Sequence, residues 1–95
     1  MGHNNKIVLI TGTSSGFGKL IVKLLSKSNF KVIATMRDAN GKNAEIAHEL
    51  NGLSENVIVE DLDVTCSNSI KKAISNTIKK FNKIDVVVNN AGIMN

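Results

Sequence analysis

Proline, tryptophan and tyrosine are all missing from this sequence; phenylalanine occurs three times and cysteine once. A single cysteine excludes an internal disulfide framework and any CxxC metal or redox site. That residue, Cys66, reads as a small buried or half-buried side chain near a strand end. Without proline there is no Pro-rich linker, and no repeat or low-complexity tract takes its place. Long hydrophobic runs are missing too. The longest aliphatic stretch is Ile7-Val8-Leu9-Ile10, far short of the ~20 apolar residues that span a bilayer. No basic start followed by an apolar stretch and a small-residue cleavage site is present, so no signal peptide is read. These absences predict a soluble, cytoplasmic protein with no membrane partner.

What is present is ordinary in bulk. The chain has 95 residues, 42% hydrophobic and 21% charged. At that length one small domain can bury about two-thirds of its unfolded surface, and two domains cannot. Met1 to Asn5 reads as a polar leader. The net charge of +4 raises the question of an acidic partner, which the placement of the lysines decides. They fall mostly on presumed helix faces: Lys19, Lys23 and Lys27, then Lys71, Lys72, Lys79, Lys80 and Lys83. Tyr and Trp are absent, and the Phe residues do not interleave with the basic ones. The stacking platform that single-stranded nucleic acid uses is therefore not there. Solvated helix faces follow, with no nucleic-acid partner.

Two kinds of segment alternate along the chain. Lys6 to Thr11 is an apolar run cut by Gly12 and reads as a buried strand. Gly16 to Ser28 carries Phe17, Leu20, Ile21, Leu24 and Leu25 at the i, i+3, i+4 spacing of an amphipathic helix. Lys31 to Met36 is a second strand. Asn40 to Gly52 reads as a helix with Ala44, Ala47 and Leu50 inward, and Asn56 to Asp61 as a third strand. The next helix places Ile70, Ala73, Ile74, Thr77, Ile78 and Phe81 on one face and lysines on the other, with Thr65 or Ser67 as its N-cap. Ile84 to Asn89 is a fourth apolar strand. The βαβαβαβ pattern, with helical crossovers, predicts an α/β fold: a partial Rossmann arrangement, doubly wound. Its parallel sheet would have four strands in the order 3-2-1-4 and helices on both faces.

The first strand-to-helix turn reads Thr11-Gly12-Thr13-Ser14-Ser15-Gly16-Phe17-Gly18. A glycine at 12 lets the chain leave the strand tightly, one at 16 lets a diphosphate approach the backbone, and one at 18 allows close helix packing. The N–H groups and positive dipole end of the helix then face the anion, and Ser14 and Ser15 add hydroxyl donors. A P-loop does not fit. Five residues, rather than four, separate Gly12 from Gly18-Lys19, and Leu20 stands where a magnesium-binding hydroxyl belongs. By itself such a turn could equally be a tight connection with a serine cap.

Further motifs narrow the choice. TGTSSGFG at residues 11–18 resembles the TGxxxGxG fingerprint of the short-chain dehydrogenase/reductase family. Asn89-Asn90-Ala91-Gly92 resembles that family's NNAG motif, and Leu62-Asp63-Val64-Thr65 resembles the Asp-Val pair after its third strand. The resemblance covers residues 6–94, and all three motifs fall at carboxyl ends of expected parallel strands, where open α/β sheets bind ligands. It implies a nicotinamide dinucleotide as partner, held by Gly12, Ser14, Ser15, Gly16, Phe17 and Gly18 at the diphosphate. Asp63 would bond the adenine amino group, Val64 would frame the ring, and Asn90, Ala91 and Gly92 would line the ribose and close the floor beneath it. Asn89 is expected to tie strand backbones together.

The second strand ends Ala34-Thr35-Met36-Arg37-Asp38. An NAD-preferring site wants an acid there, accepting from both ribose hydroxyls. The resemblance puts that acid at position 36, which is Met36, and the next residue is Arg37, a cation able to fork onto a 2′-phosphate. NADP is therefore expected over NAD, with Asp38 as the counterweight if the loop brings it to the ribose.

The resemblance also implies catalytic groups that are not found. The family uses Tyr and Lys in YxxxK, with a Ser and an Asn, all following NNAG; this sequence stops three residues after Gly92 and has no tyrosine. His3 and His48 read as surface residues, and Asn95 is not the catalytic asparagine. No catalytic residue and no metal ligand is assigned. One expectation is the NADP-binding half-domain of an oxidoreductase whose parent moves hydride between nicotinamide and a small carbonyl or alcohol substrate. The other is a stand-alone nucleotide-binding or interaction module without chemistry. In either case the strand holding Val86, Val87 and Val88 would keep an unpaired edge, which invites self-association.

Overall fold

In the computed structural model, which describes residues 6–14 and 16–90, four short strands form one parallel sheet. The strands are β1 (Ile7–Ile10), β2 (Lys31–Met36), β3 (Val57–Asp61) and β4 (Val86–Val88), in the order β3-β2-β1-β4. The helices α1 (Gly16–Leu25), α2 (Ala44–Asn51) and α3 (Ser67–Phe81) are the crossovers. β1 pairs Ile7 with Lys31 on one side and Val8 with Val86 on the other, which makes it a central strand. All four of its residues are buried. A continuous aliphatic run suits this position because both faces of a parallel sheet are covered.

The alternation of side chains along the strands separates two cores. Val8, Ile10, Val32, Ala34 and Met36 point to one face, where Val22 of α1 and Leu50 of α2 join them. Ile7, Leu9 and Ile33 point to the other, where Phe81 at the end of α3 packs on them. Helices therefore cover both faces, as expected. Ile10 and Ile33 are at most 1% exposed, and each contributes roughly 1.5–3 kcal/mol by leaving water.

The elements differ from the sequence expectation at identifiable points. The apolar stripe assigned to α1 is only half buried: Val22 and Gly18 face the core, with Ile21 and Leu25 partly covered, while Phe17, Leu20 and Leu24 are 72%, 49% and 60% exposed. The helix also ends at Leu25 rather than Ser28, because Ser26 and Ser28 turn their hydroxyls onto the carbonyls of Lys23 and Leu25. α2 begins at Ala44, not Asn40. Asp38 holds a left-handed φ of 54°, and its carbonyl takes the N–H groups of Gly41 and Asn43, which closes a turn before the helix can start. Leu50 is buried as expected, but Ala44 is exposed. The N-cap of α3 is Cys66, whose side chain makes no cap bond; Thr65 instead donates its hydroxyl to Asp63. Cys66 is exposed, contrary to expectation, because it precedes the helix on its solvent side. Ala73 and Thr77 are the buried residues of α3, whereas Ile74 and Ile78 stand 38% and 45% exposed. The lysines of α3 are exposed, as read, and so is His48.

Asp85 fixes the start of β4. Its carboxylate accepts the N–H of Ile7 at 2.7 Å and pairs with Lys83 at 3.2 Å. The Ile7 N–H, with help from Lys83, holds its carboxyl below the ordinary carboxylate range. Glu49 of α2 sits between Lys19 and Lys23 of α1, 3.3 Å from each. These groups are largely solvated, so the clamp fixes the helix pair more than it stabilises the fold.

Candidate functional site

The loop from β1 to α1 is built on threonines that sequence reasoning overlooked. Thr13 is fully buried, and both its N–H and its hydroxyl donate to the Thr35 carbonyl, each at 3.0 Å. The Thr35 hydroxyl in turn donates to the Ile10 carbonyl at 2.8 Å. On the opposite side the Thr11 N–H donates to the Val88 carbonyl at 3.0 Å, and its hydroxyl reaches Asn89 Oδ1 at 3.3 Å. Asn89 thus links the ends of β1 and β4 through the Thr11 side chain, rather than by the expected tie to strand backbone. The loop is pegged to both neighbouring strands at their carboxyl ends.

Within that frame Gly12 and Gly16 have φ of 66° and 60°, the left-handed region that side chains avoid. Gly18 meets a different constraint. A Cβ there would press on the Gly12 carbonyl oxygen and lie 2.7 Å from Asn90 Nδ2. Its close approach is to the loop's own backbone and the end of β4, rather than to the sheet face. Asn90 donates from Nδ2 to the Gly12 carbonyl at 3.0 Å, so its described contact braces the loop.

A cleft of about 450 Å³ opens beside this loop at the carboxyl ends of β1, β2 and β3. It brings together Gly12, Ser14, Arg37, Asp63 and Val64, five of the residues singled out from sequence. Its described wall does not include Gly16, Phe17, Gly18 or Asn90, which lie in or against the loop and the start of α1. Ser15, Ala91 and Gly92 lie outside the described residues. Met36 belongs to the core at 1% exposure, so Arg37 is the first residue after β2 to reach the cleft. Lys42, Asn43, Leu62 and Thr65 complete the wall. Of these, Thr65 was legible, because Asp-x-Thr is a turn signature; Lys42 and Asn43 carry no local signal.

Asp63 is held in one orientation. Its Oδ1 accepts the Thr65 hydroxyl at 2.6 Å and the Thr65 N–H at 2.9 Å. Those two bonds, with the Arg37 charge nearby, keep its carboxyl below the ordinary range. The Asp63 N–H donates to Ser69 Oγ at 2.8 Å, which anchors the turn to the first turn of α3. A larger groove of about 600 Å³ lies along β3 between α2 and α3, lined by His48, Glu60, Lys72 and Asn76 among others. It contains none of the glycine loop, and the chemistry is assigned to the smaller cleft at the strand ends.

The residues fit a dinucleotide. Two glycines at positive φ expose backbone beside a helix N-terminus, Gly18 lets the helix start pack directly on the Gly12 carbonyl, and a cation and a fixed carboxylate stand across the cleft. Among the described residues, no paired nucleophile and base lines its wall.

The family model described as short chain dehydrogenase matches residues 6–95. The chain is 38% identical over 89 residues to (+)-borneol dehydrogenase 2 of Salvia officinalis, covering 93% of this chain and 30% of that protein. Among solved structures it is similar to an NADPH-bound carbonyl reductase from chicken fatty liver, with 32% identity and a TM-score of 0.80 over 96% of this chain and 36% of that one. A 3-ketoacyl-(acyl-carrier-protein) reductase from Brucella melitensis complexed with NADH gives 29% identity and a TM-score of 0.71 over 86% and 32% of the two chains. The chain thus spans about a third of the length of these relatives.

Proposed function

Since the chain belongs to the short-chain dehydrogenase family, we propose that it is the dinucleotide-binding part of an oxidoreductase and takes NADP in preference to NAD. The observation that carries this reading is the meeting of the glycine loop, Arg37 and Asp63 in one cleft at the carboxyl ends of the strands. The backbone of residues 12–18, with Ser14 and Ser15, would hold the diphosphate at the positive end of α1. Asp63 would accept from the adenine amino group through the oxygen that Thr65 leaves free, and Val64 would cover the ring. Asn90, Ala91 and Gly92 would floor the ribose, with Asn90 bracing the loop as well. Arg37 would take the 2′-phosphate.

When bound, the nicotinamide would supply hydride to a small carbonyl substrate or take it from a small alcohol substrate. This chain's own residues hold and orient the cofactor. The sequence has no tyrosine, so the proton transfer that accompanies hydride movement would fall to Ser, Tyr and Lys on polypeptide outside these 95 residues. Residues 6–94 then act as a half-domain. Support for a nicotinamide dinucleotide comes from the relatives solved with NADPH and with NADH. The preference for NADP rests on Arg37 and on the buried Met36.

Two further properties belong to the same reading. A second copy would pair along β4, supported by Val86 and Val87 at 42% and 59% exposure. A cytoplasmic location is supported by the exposed, unpaired Cys66, which suits a reducing compartment. Calorimetric titration with NADPH and NADH tests the central proposal. Tighter NADPH is expected, and equal or tighter NADH would refute the preference.

A further inference from the structure

The groove of about 600 Å³ along β3 shares no lining residue with the cleft beside the glycine loop, and its floor is a strand edge. Among the described residues β3 pairs only with β2. The Val32 N–H donates to the Asn56 carbonyl at 2.8 Å, and the Leu62 N–H to the Met36 carbonyl at 2.9 Å. Residues 56, 58, 60 and 62 therefore turn their backbone groups towards β2, and Val57, Val59 and Asp61 turn theirs to the open side. The Val57 N–H is taken by the Ser54 carbonyl at 3.2 Å. The N–H and carbonyl groups of Val59 and Asp61 are left outside the ladder, facing the groove.

Strand edges are ordinarily protected by lysine, proline, a bulge or a covering element. β3 has neither lysine nor proline, and its register with β2 runs unbroken from Val57 to Asp61. Its first three residues, Val57, Ile58 and Val59, are β-branched and suit pairing. Its two acids are turned onto the protein's own donors. Glu60 meets Asn76 Nδ2 at 3.4 Å and Lys80 Nζ at 3.5 Å, and Asp61 Oδ1 accepts the Ala39 N–H at 2.9 Å.

The two walls of the groove differ in chemistry. On the α2 side Ala44 and Ala47 stand beside Val59, small apolar groups with room above them. On the α3 side are Ser69, Lys72 and Asn76. Lys72 has no ion pair or hydrogen bond among the described residues. With Glu60 and Asp61 engaged, the unpaired charge of the groove is positive. A strand laid along this edge would send alternate side chains to the two walls. One set would meet the alanines and the other would meet Lys72.

We propose that the edge of β3 is a strand-addition site for an extended segment of a partner protein in which apolar residues alternate with aspartate or glutamate. The main chain of that segment bonds to Val59 and Asp61. Its apolar side chains cover Ala44, Ala47 and Val59, and its carboxylates face Lys72. The site stands whether or not NADP is the dinucleotide, because the two clefts have no residue in common.

Fluorescently labelled, capped peptides of alternating Val-Glu and of alternating Val-Lys, each about eight residues long, test this against the full chain. The Val-Glu peptide is expected to bind saturably and the Val-Lys peptide about tenfold more weakly or less. Lys72→Glu should weaken the Val-Glu peptide about tenfold. Lys72 is exposed, so the fold is kept, as melting by circular dichroism would verify. Ala44→Glu, at an exposed position in the first turn of α2 where an acid suits the helix dipole, should weaken it as well. Bound peptide should slow amide exchange at Val59 and Asp61 about tenfold and leave Ile58 and Glu60, already in the ladder, within about twofold. No saturable binding of the Val-Glu peptide rejects the site. Equal binding of the two peptides, or unchanged affinity in a folded Lys72→Glu chain, rejects the acidic character of the partner. Protection without that alternation overturns strand addition. The same alternating protection appearing with rising chain concentration and no peptide would assign the edge to a second copy instead.

Discussion

Replacing Gly18 by alanine would set a methyl carbon against the Gly12 carbonyl oxygen, 2.9 Å from the Gly12 carbonyl carbon and 2.7 Å from Asn90 Nδ2. Carbon atoms in comfortable contact stand about 3.5–4.0 Å apart, so something must move. The Asn90 side chain could rotate away. The Gly12 carbonyl cannot move easily, because Thr11 and Thr13 bond the loop to Val88 and Thr35, each at 3.0 Å. Overpacking costs roughly 1–3 kcal/mol, and a pegged backbone puts this site near the top of that range, about 3 kcal/mol. A domain of this length has about 5–14 kcal/mol of stability in total, and each kcal/mol moves its Tm by about 4–8 °C. Gly18→Ala should therefore melt about 12–24 °C lower by circular dichroism. It should also lose most dinucleotide affinity, since the displaced carbonyl belongs to the loop that would cradle the diphosphate. Asn90→Ala alone should cost about 1 kcal/mol through the lost bond to Gly12. Added to Gly18→Ala it should give no rescue, because the backbone contact persists. A Gly18→Ala chain melting within about 2 °C of the parent would refute the reasoning. So would rescue by Asn90→Ala, which would make the side chain the limiting contact.

The remaining predictions concern β4. Asp85 has a lowered carboxyl pKa in the folded chain, so its contribution is fully present above the unfolded aspartate value of about 4 and is lost as pH falls through the lower folded value. Urea unfolding across pH should show Asp85→Asn less stable than the parent near neutrality, with the two curves converging in acid; a deficit that widens below pH ~4 would contradict the assignment. Val87→Lys should shift sedimentation from self-associated species towards monomer, because a charge on an edge strand opposes pairing. A parent chain that sediments as monomer at high concentration would remove the premise.

The legible parts of the fold share a cause. β2 runs from Lys31 to Met36, as its β-branched and apolar run predicts, because its cues are local. The order β3-β2-β1-β4 follows from crossover handedness and the alternation of elements. The misread parts depend on contacts distant in sequence. Leu20 and Leu24 satisfy helical periodicity as well as Ile21 and Leu25 do, and nothing local says which pair faces the sheet. α2 is the exception: it starts later than Asn40 because Asn40-Gly41 and Asn43 are turn formers, a local signal that the expected helix start overrode, and Asp38 in the left-handed region closes that turn. In the site, Gly12, Arg37 and Asp63 were legible as motifs at strand ends. Thr13 and Thr35 were not, since a threonine in a loop and another in a strand reveal no bond until the strands are side by side. Lys42 looks like any solvated lysine until the turn brings it round to Arg37.

The exposed apolar side chains bear on function through stability. Val86 shares a register position with Val8, on the face of α1 and α2, and Val87 with Leu9, on the face of α3. On the first face Phe17, Leu20 and Leu24 are exposed, and on the second Ile74 and Ile78. A strand apolar on both sides is the pattern of a buried strand, and here Val86 and Val87 are both exposed, one on each face. Each of these seven side chains keeps between 38% and 72% exposure. Covering them would add roughly 1 kcal/mol apiece. That sum is comparable with the whole stability expected of a 95-residue domain. Whatever polypeptide covers β4 therefore changes the population of folded chain as well as its assembly state. The glycine loop is pegged to Val88 and Asn89 at the end of that same strand. Fraying of β4 would release the Thr11 bonds and loosen the backbone that would hold the diphosphate. Cofactor affinity should thus rise with the concentration of whatever pairs with β4, by mass action through the folded state, with no new contact to the cofactor needed.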